Sequence, residues 1–257
     1  MNSLHLTTRA LQMAALGLLI VLAQGCATGP NANPADPLEP FNRTVFNLND
    51  GLDRAIFLPV ATAYTDVTPS SVRTGVHNFL SNIADVWSVV NNALQLKPKE
   101  TLETGMRVAF NSIFGFAGVL DIGTEMRLAR NKQDFGQTLG YWGVKSGAYV
   151  VLPFFGPSSV RDSVGMVVDS GADIANNVKN VPVRNSLMSL RVVDKRVEFL
   201  GTETVLEEAS LDKYTFARDL YLQRRANSIN RNTQPQGTPS KEERYDLPAS
   251  AASPAAK

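Results

Sequence analysis

The chain has 257 residues, with 25 Lys and Arg against 24 Asp and Glu, two His and a single Cys. One Cys excludes an intrachain disulfide and a cysteine-rich zinc site, and the near-neutral balance argues against a protein that binds polyanions by neutralising phosphates. Apolar residues make up 44% and charged residues 19%, enough for a folded core and too apolar for a chain disordered throughout.

Residues 1–25 read as an export signal, with Arg9 as the side-chain charge and an apolar run from Met13 to Ala23. That run is too short to cross a bilayer as a helix, which takes about 20 residues. It ends Leu22-Ala23-Gln24-Gly25-Cys26, which resembles the bacterial lipobox. There the Cys is acylated and becomes the first residue, so Cys26 is the expected lipidation site. Loss of residues 1–25 removes Arg9 and leaves 24 basic against 24 acidic side chains. One acyl chain anchors only marginally, whereas two or more hold firmly. Ala27, not Asp, follows Cys26. By resemblance to Gram-negative lipoproteins, this points to the outer membrane. Residues 26–35 form a polar, Gly- and Pro-containing tether.

The body, residues 36–229, reads as one helical unit. Asp36-Pro37-Leu38-Glu39 has the spacing of a capped helix start, with Asp36 as cap and Pro37 in the first position. Leu38, Phe41, Val45, Leu48, Leu52 and Ile56 then recur at steps of three and four, and Pro59 is expected to end that helix. Thr68-Pro69 starts a second, followed by an apolar stretch through Val86, Trp87, Val90 and Leu94. Pro98 opens a third. Gln133 to Val144 predicts a short helix with Gly breaks. Ser158 caps another through Val160 and Val168, a long one follows Pro182, and the last spans about 211–228. Only Tyr149-Val150-Val151-Leu152 reads as a strand. Residues 230–257 are Pro, Ser, Ala and charge, and are expected to be disordered.

Two apolar stretches stand out. Ile113 to Leu120 carries Phe114, Gly115, Phe116 and Gly118, a composition for a tight apolar reversal. Tyr149 to Pro157 is bracketed by Pro153 and Pro157, so it is no helix interior. On composition alone, both are expected to be buried connections. The catalytic signatures are missing: no G-x-S-x-G elbow, P-loop or G-x-G-x-x-G. His77 is the one His of the mature chain and is expected on a helix surface or in helix packing. No cofactor or metal is expected, and a non-enzymatic role is favoured.

Asp36-Pro37-Leu38-Glu39-Pro40-Phe41-Asn42-Arg43 with Phe46-Asn47 resembles the opening of the MlaA/VacJ family of outer-membrane lipoproteins. Arg107 to Gly115 with Gly118 to Asp121, Asp134 to Val144, and Gly147 to Pro153 with Gly156-Pro157-Ser158 agree in order and spacing. Ala148 departs from the Pro usual before the Tyr. The resemblance implies an all-α, ring-shaped fold of amphipathic helices lying in the membrane plane around a central channel. It implies phospholipid as cargo, drawn from the outer leaflet to maintain lipid asymmetry. A trimeric porin and a soluble periplasmic carrier of the Mla type are the implied partners. Tyr141, Lys145 and Tyr149 are the candidates for the lipid path, Tyr149 from the family motif and Lys145 from its position beside it; by family analogy Phe114, Gly115, Phe116 and Gly118 form a gating hairpin, and Phe41, Asn42 and Arg43 on the first helix are expected at the membrane rim. A non-enzymatic envelope scaffold is the alternative.

Overall fold

The computed structural model describes residues 33–200 and 212–233. Cys26, the export signal, most of the tether and residues 234–257 lie outside them. In chain order come α1 (Glu39–Leu52), a π turn (Asp53–Phe57), α2 (Leu58–Val67), α3 (Ser70–Leu94), α4 (Pro98–Ile113), the single turn α5 (Ile122–Glu125) and α6 (Phe135–Tyr141). Strands β1 (Tyr149–Leu152) and β2 (Gly156–Ser159) follow, then α7 (Val160–Ala172), α8 (Val181–Val197) and α9 (Lys213–Thr233). The all-α expectation holds, and among the described residues no helix is long and apolar enough to cross a membrane.

Local chemistry explains where the elements differ from expectation. Pro59 does not end the first helix. The π turn resets the hydrogen-bond ladder, with Leu58 N donating to Asp53 O. Pro59 then falls in the first turn of α2, where a missing N–H costs nothing. Asp36 is not a cap either. Leu38 holds the cap position without a side-chain bond, and Pro40, not Pro37, sits in the first turn. The two stretches from Ser70 to Leu94 are one unbroken helix. Ser159, one residue after the expected Ser158, caps α7 by accepting from Asp162 N at 3.2 Å. The final helix runs on to Thr233, past the expected start of the tail.

The distribution of polarity is inverted. On α3 the buried side chains are Leu80, Asn82, Asp85, Ser88, Asn91 and Asn92, whereas Val72, Val90 and Leu94 are exposed. On α4 the buried ones are Thr104, Arg107 and Asn111, and Leu102, Met106 and Ile113 face out. Hydrogen bonds make this interior tolerable. Thr138 Oγ1 donates to Asn91 Oδ1 at 2.7 Å, Gln95 Nε2 to Thr138 Oγ1 at 3.0 Å, and Asn92 Nδ2 to Asn131 O at 2.9 Å. Arg107 Nη2 reaches both oxygens of Asp121 at 2.8 Å. The apolar stripes therefore point outward, against the ordinary arrangement of a water-soluble bundle.

The apolar core that exists is small: Val45, Tyr149, Val151 and Tyr214. It is sealed by a polar knot. The buried Asp36 carboxylate accepts from Asn42 Nδ2 at 2.8 Å, from the Tyr214 hydroxyl and from Arg218 Nη1 at 3.4 Å. Asn42 also donates to Tyr149 O and accepts from Val151 N at 2.8 Å. Asn42 thus extends β1 as a further backbone would, joining α1 to β1, and Asp36 joins both to α9.

Candidate functional site

Three helices, α3, α7 and α8, wall a cavity of about 790 Å³. Ile83, Val86, Trp87 and Val90 come from α3, Met166 and Asp169 from α7, and Met188, Arg191 and Val192 from α8. These positions recur at helical spacing on each element, so one face of each helix contributes. Phe155, at the tip of the β hairpin, closes one edge. A second chamber of about 380 Å³ adjoins it, lined by Lys97, Glu100, Arg130, Asn131 and Ser228. Lys132, Gln133 and Gln137 line both. The larger space is mainly apolar and the smaller is polar with a cationic excess.

Electrostatics sharpen that contrast. Burial pushes Lys97 down to about 8, with the Glu100 charge opposing. Burial and the charge of Lys132 both lower Lys195, while Glu198 opposes. Asp169 in the larger cavity is raised by burial, against bonds from Trp87 Nε1 at 2.6 Å and Phe135 N at 2.9 Å. Arg130 Nη2 reaches the buried Asp85 Oδ2 at 3.0 Å.

The wall is braced by a clamp. Asp134 caps α6 through Gln137 N at 2.8 Å, and Arg225 of α9 grips both its oxygens at 2.6 Å. The same guanidinium reaches Asp162 of α7 at 2.9 Å, and Tyr221 donates to Asp162 at 2.6 Å. Burial would raise both carboxyls, but Arg225, with Gln137 on Asp134 and Tyr221 and Arg161 on Asp162, outweighs it and holds each below its usual range. Arg161 Nε also donates to Asp162 Oδ1 at 2.9 Å.

The structure separates the residues expected along the lipid path. Tyr141 is half-buried, with Lys97 Nζ 5.8 Å from its ring centroid, at the edge of the polar chamber. Lys145 lies on the exposed stretch after α6 and lines neither space. Tyr149 is 0% exposed, packed against Tyr214 and Tyr221. With no accessible surface it cannot line an open path, because β1 turns it into the core. Asn42, expected at the rim, is equally buried in the knot. Phe41 is exposed, and Arg43 is ion-paired to Asp212 at 2.7 Å and to Glu39.

The apolar reversal is a tight run of turns, neither helix nor β hairpin, with Phe116, Ala117 and Gly118 all at positive φ. Leu120 N donates to Gly115 O and Ala117 N to Ser112 O. A Cβ on Gly115 would stand 2.3 Å from Leu120 O, and one on Gly118 (φ +100) 2.5 Å from Asn82 Cβ. These glycines allow close backbone approach. Asn82 Nδ2 also donates to Ser112 Oγ at 3.0 Å, and Asn78 Nδ2 to Val119 O. The base is pinned to α3 while Phe114 (61%) and Phe116 (77%) face out. Phe154 and Phe155 are 71% exposed. The expectation of two buried connections therefore fails at the tips.

His77 raises a catalytic question. Its Nδ1 lies 3.1 Å from Asp194 Oδ2 and its Nε2 3.4 Å from Ser81 Oγ. The connectivity is that of a Ser-His-Asp relay. Ser81, however, lies within α3, where the backbone N–H groups are spent on the helix and none is left to serve as an oxyanion donor.

A helical protein with a polar interior, an apolar exterior and an amphipathic cavity belongs to the class that works at a membrane and accommodates amphiphiles. The family is specific. The chain belongs to the MlaA lipoprotein family, whose model matches residues 34–228. It is 34% identical over 220 residues to the intermembrane phospholipid transport system lipoprotein MlaA of Escherichia coli (strain K12), covering 83% of this chain and 87% of that protein. The protein of the same description from Haemophilus influenzae is 28% identical over 221 residues, covering 83% and 88%. A solved structure, described as the structural basis for maintenance of bacterial outer membrane lipid asymmetry, matches with a TM-score of 0.68 at 33% identity. It covers 76% of this chain and 99% of that one.

The lining of the cavity was not singled out in the sequence. Trp87 and Val90 lay in a noted apolar stretch, and Met188 and Val192 on a noted helix, but nothing marked them as facing a hollow. The signal was there in part, since apolar side chains and Asp169, Asp173 and Arg191 alternate along the same helix faces.

Proposed function

We propose that this chain is an outer-membrane lipoprotein of the intermembrane phospholipid transport type. It takes phospholipid out of the outer leaflet and so preserves lipid asymmetry. The apolar cavity receives acyl chains, and the chamber of Lys97, Arg130 and Lys132 receives the phosphate of the headgroup. The observation that carries this reading is the junction of the two spaces at Lys132, Gln133 and Gln137. An acyl chain and a phosphate on one molecule need such adjacent, opposite environments. Exposed Phe114, Phe116, Phe154 and Phe155 suit an apolar surround, and a hydrogen-bonded interior suits a protein whose outside is not water. Acylation of Cys26 supplies the anchor, the Phe114–Gly118 reversal adjusts access, and a trimeric porin and a soluble periplasmic carrier are the partners. These finer points rest on the family resemblance.

The test is direct. The lipidated protein, purified in mild detergent, is extracted and its bound lipid identified by mass spectrometry. Phospholipid at near one equivalent is expected. A strain lacking the protein should expose phospholipid at its surface. Purification without lipid, together with a normal surface in the deletion strain, overturns the reading.

A further inference from the structure

His77, Asp194 and Glu198 bring three donor atoms together outside the cavity. His77 Nδ1 lies 3.1 Å from Asp194 Oδ2 and 3.2 Å from Glu198 Oε1, and all three atoms fall within 4.8 Å of one another. A zinc ion about 2.0–2.1 Å from nitrogen and oxygen ligands spaces tetrahedral donors about 3.3 Å apart. The two nitrogen–oxygen separations match that spacing. The contacts are also over-supplied with lone pairs. A neutral imidazole has one N–H at most on Nδ1, and two carboxylates compete for it. A cation at the centre satisfies all three.

We infer that His77, Asp194 and Glu198 form a divalent transition-metal site that ties α3 to the C-terminal end of α8. Asp194 and Glu198 lie one helical turn apart, so both carboxylates reach the same imidazole nitrogen. The side chains are 35%, 13% and 49% exposed, which leaves a position for water and a path for the ion. Ser81 Oγ, 3.4 Å from Nε2, stands where an outer hydrogen bond would orient the ring. Lys195 acts electrostatically on the same neighbourhood but offers no lone pair while charged. The donor set of one imidazole and two carboxylates, without sulfur, suits zinc or manganese over copper(I). α3 and α8 carry Trp87, Val90, Met188 and Val192 of the cavity wall, so a bound metal would hold that wall at a fixed width.

His77 is the only imidazole beyond His5, which makes the test specific. The full lipoprotein without an affinity tag, in detergent and after EDTA and dialysis, is titrated with Zn2+ by calorimetry. In parallel the imidazole nitrogens are followed by NMR. One equivalent of Zn2+ should bind and move the Nδ1 resonance. Glu198→Gln and Asp194→Asn, which keep the imidazole, should each weaken binding at least tenfold. Glu198 is half exposed, so its variant tests the site without threatening the fold. An Nδ1 resonance indifferent to Zn2+, or variants that bind as the parent does, overturns the inference. Phospholipid content is read separately, so loss of the metal site leaves the transport reading standing.

Discussion

Trp87 donates its indole Nε1–H to Asp169 Oδ1 at 2.6 Å across the cavity, joining α3 to α7. The bond holds a carboxylate in a mainly apolar wall with two donors, the second being Phe135 N. Trp87→Phe keeps the ring and removes the donor. Asp169 is already raised by burial, so losing this bond raises it further. The variant should lose about 1–2 kcal/mol at neutral pH, the cost of a weakened bond to a charged group. The loss should shrink as pH falls and Asp169 protonates. Equilibrium urea unfolding at pH 7.5 and pH 5 measures both.

Filling the hollow tests whether it carries lipid. Val192 faces the cavity and is 48% exposed, so a larger side chain has room to enter. Val192→Trp should leave thermal unfolding nearly unchanged and reduce co-purified phospholipid several-fold. Equal lipid in parent and variant would place the path elsewhere.

Arg225 is the keystone of the clamp, with Asp134 and Asp162 both on its guanidinium. Arg225→Met leaves Asp134 with only the Gln137 donors and Asp162 with Arg161 and Tyr221, a loss of roughly 3 kcal/mol. The pH dependence follows from the sign of the shifts. Both carboxyls are lowered in the folded protein, so their contribution is complete above about pH 4, the unfolded value. It fades as pH falls through the folded values. The parent should therefore lose stability in acid below about pH 4, and Arg225→Met should lose less there, with Gln137, Arg161 and Tyr221 carrying what remains.

Helix content, the start of α4 at Pro98 and the β1 strand were legible because each rests on local chemistry: period, proline position and β-branched residues. What the apolar stripes face was not. A stripe at steps of three and four predicts that one side differs from the other, and Val72 with Val90 shows that the buried side can be the polar one. Asn82, Asn91 and Asn92 read as surface residues until their partners across the chain are known. Asp36 looked like a cap because its spacing to Glu39 is right, yet its partners Tyr214 and Arg218 lie far along the chain. Tyr149 was drawn to the channel by the family motif, and its burial depends on the register of β1, which a motif does not encode. Residues 201–211 and 234–257 lie outside the described structure, and the tail expectation beyond Thr233 is not addressed by it.

Gly118 separates packing from gating. Its φ of +100 and the 2.5 Å approach to Asn82 make any Cβ strained. Gly118→Ala should cost on the order of 1–3 kcal/mol and free the Phe114–Phe116 tip from α3. Phe116→Asp removes an exposed apolar side chain without that strain and should leave stability within about 0.5 kcal/mol. If the tip governs access, both variants alter lipid content; if it only packs, Gly118→Ala alone has an effect, and that on the melting temperature.

Lys97 ties the headgroup chamber to pH. Burial brings it down to about 8, so it is charged at pH 7 and largely neutral at pH 9. A phosphate beside it favours the charged form, so binding takes up a proton as pH rises through 8. Affinity for phosphatidylglycerol in detergent should therefore fall severalfold between pH 7 and pH 9. Lys97→Arg keeps its charge throughout that range and should flatten the profile. Lys97→Gln should bind weakly at both ends. A parent profile that is already flat would remove Lys97 from the headgroup site and leave Arg130 and Lys132 to carry the phosphate.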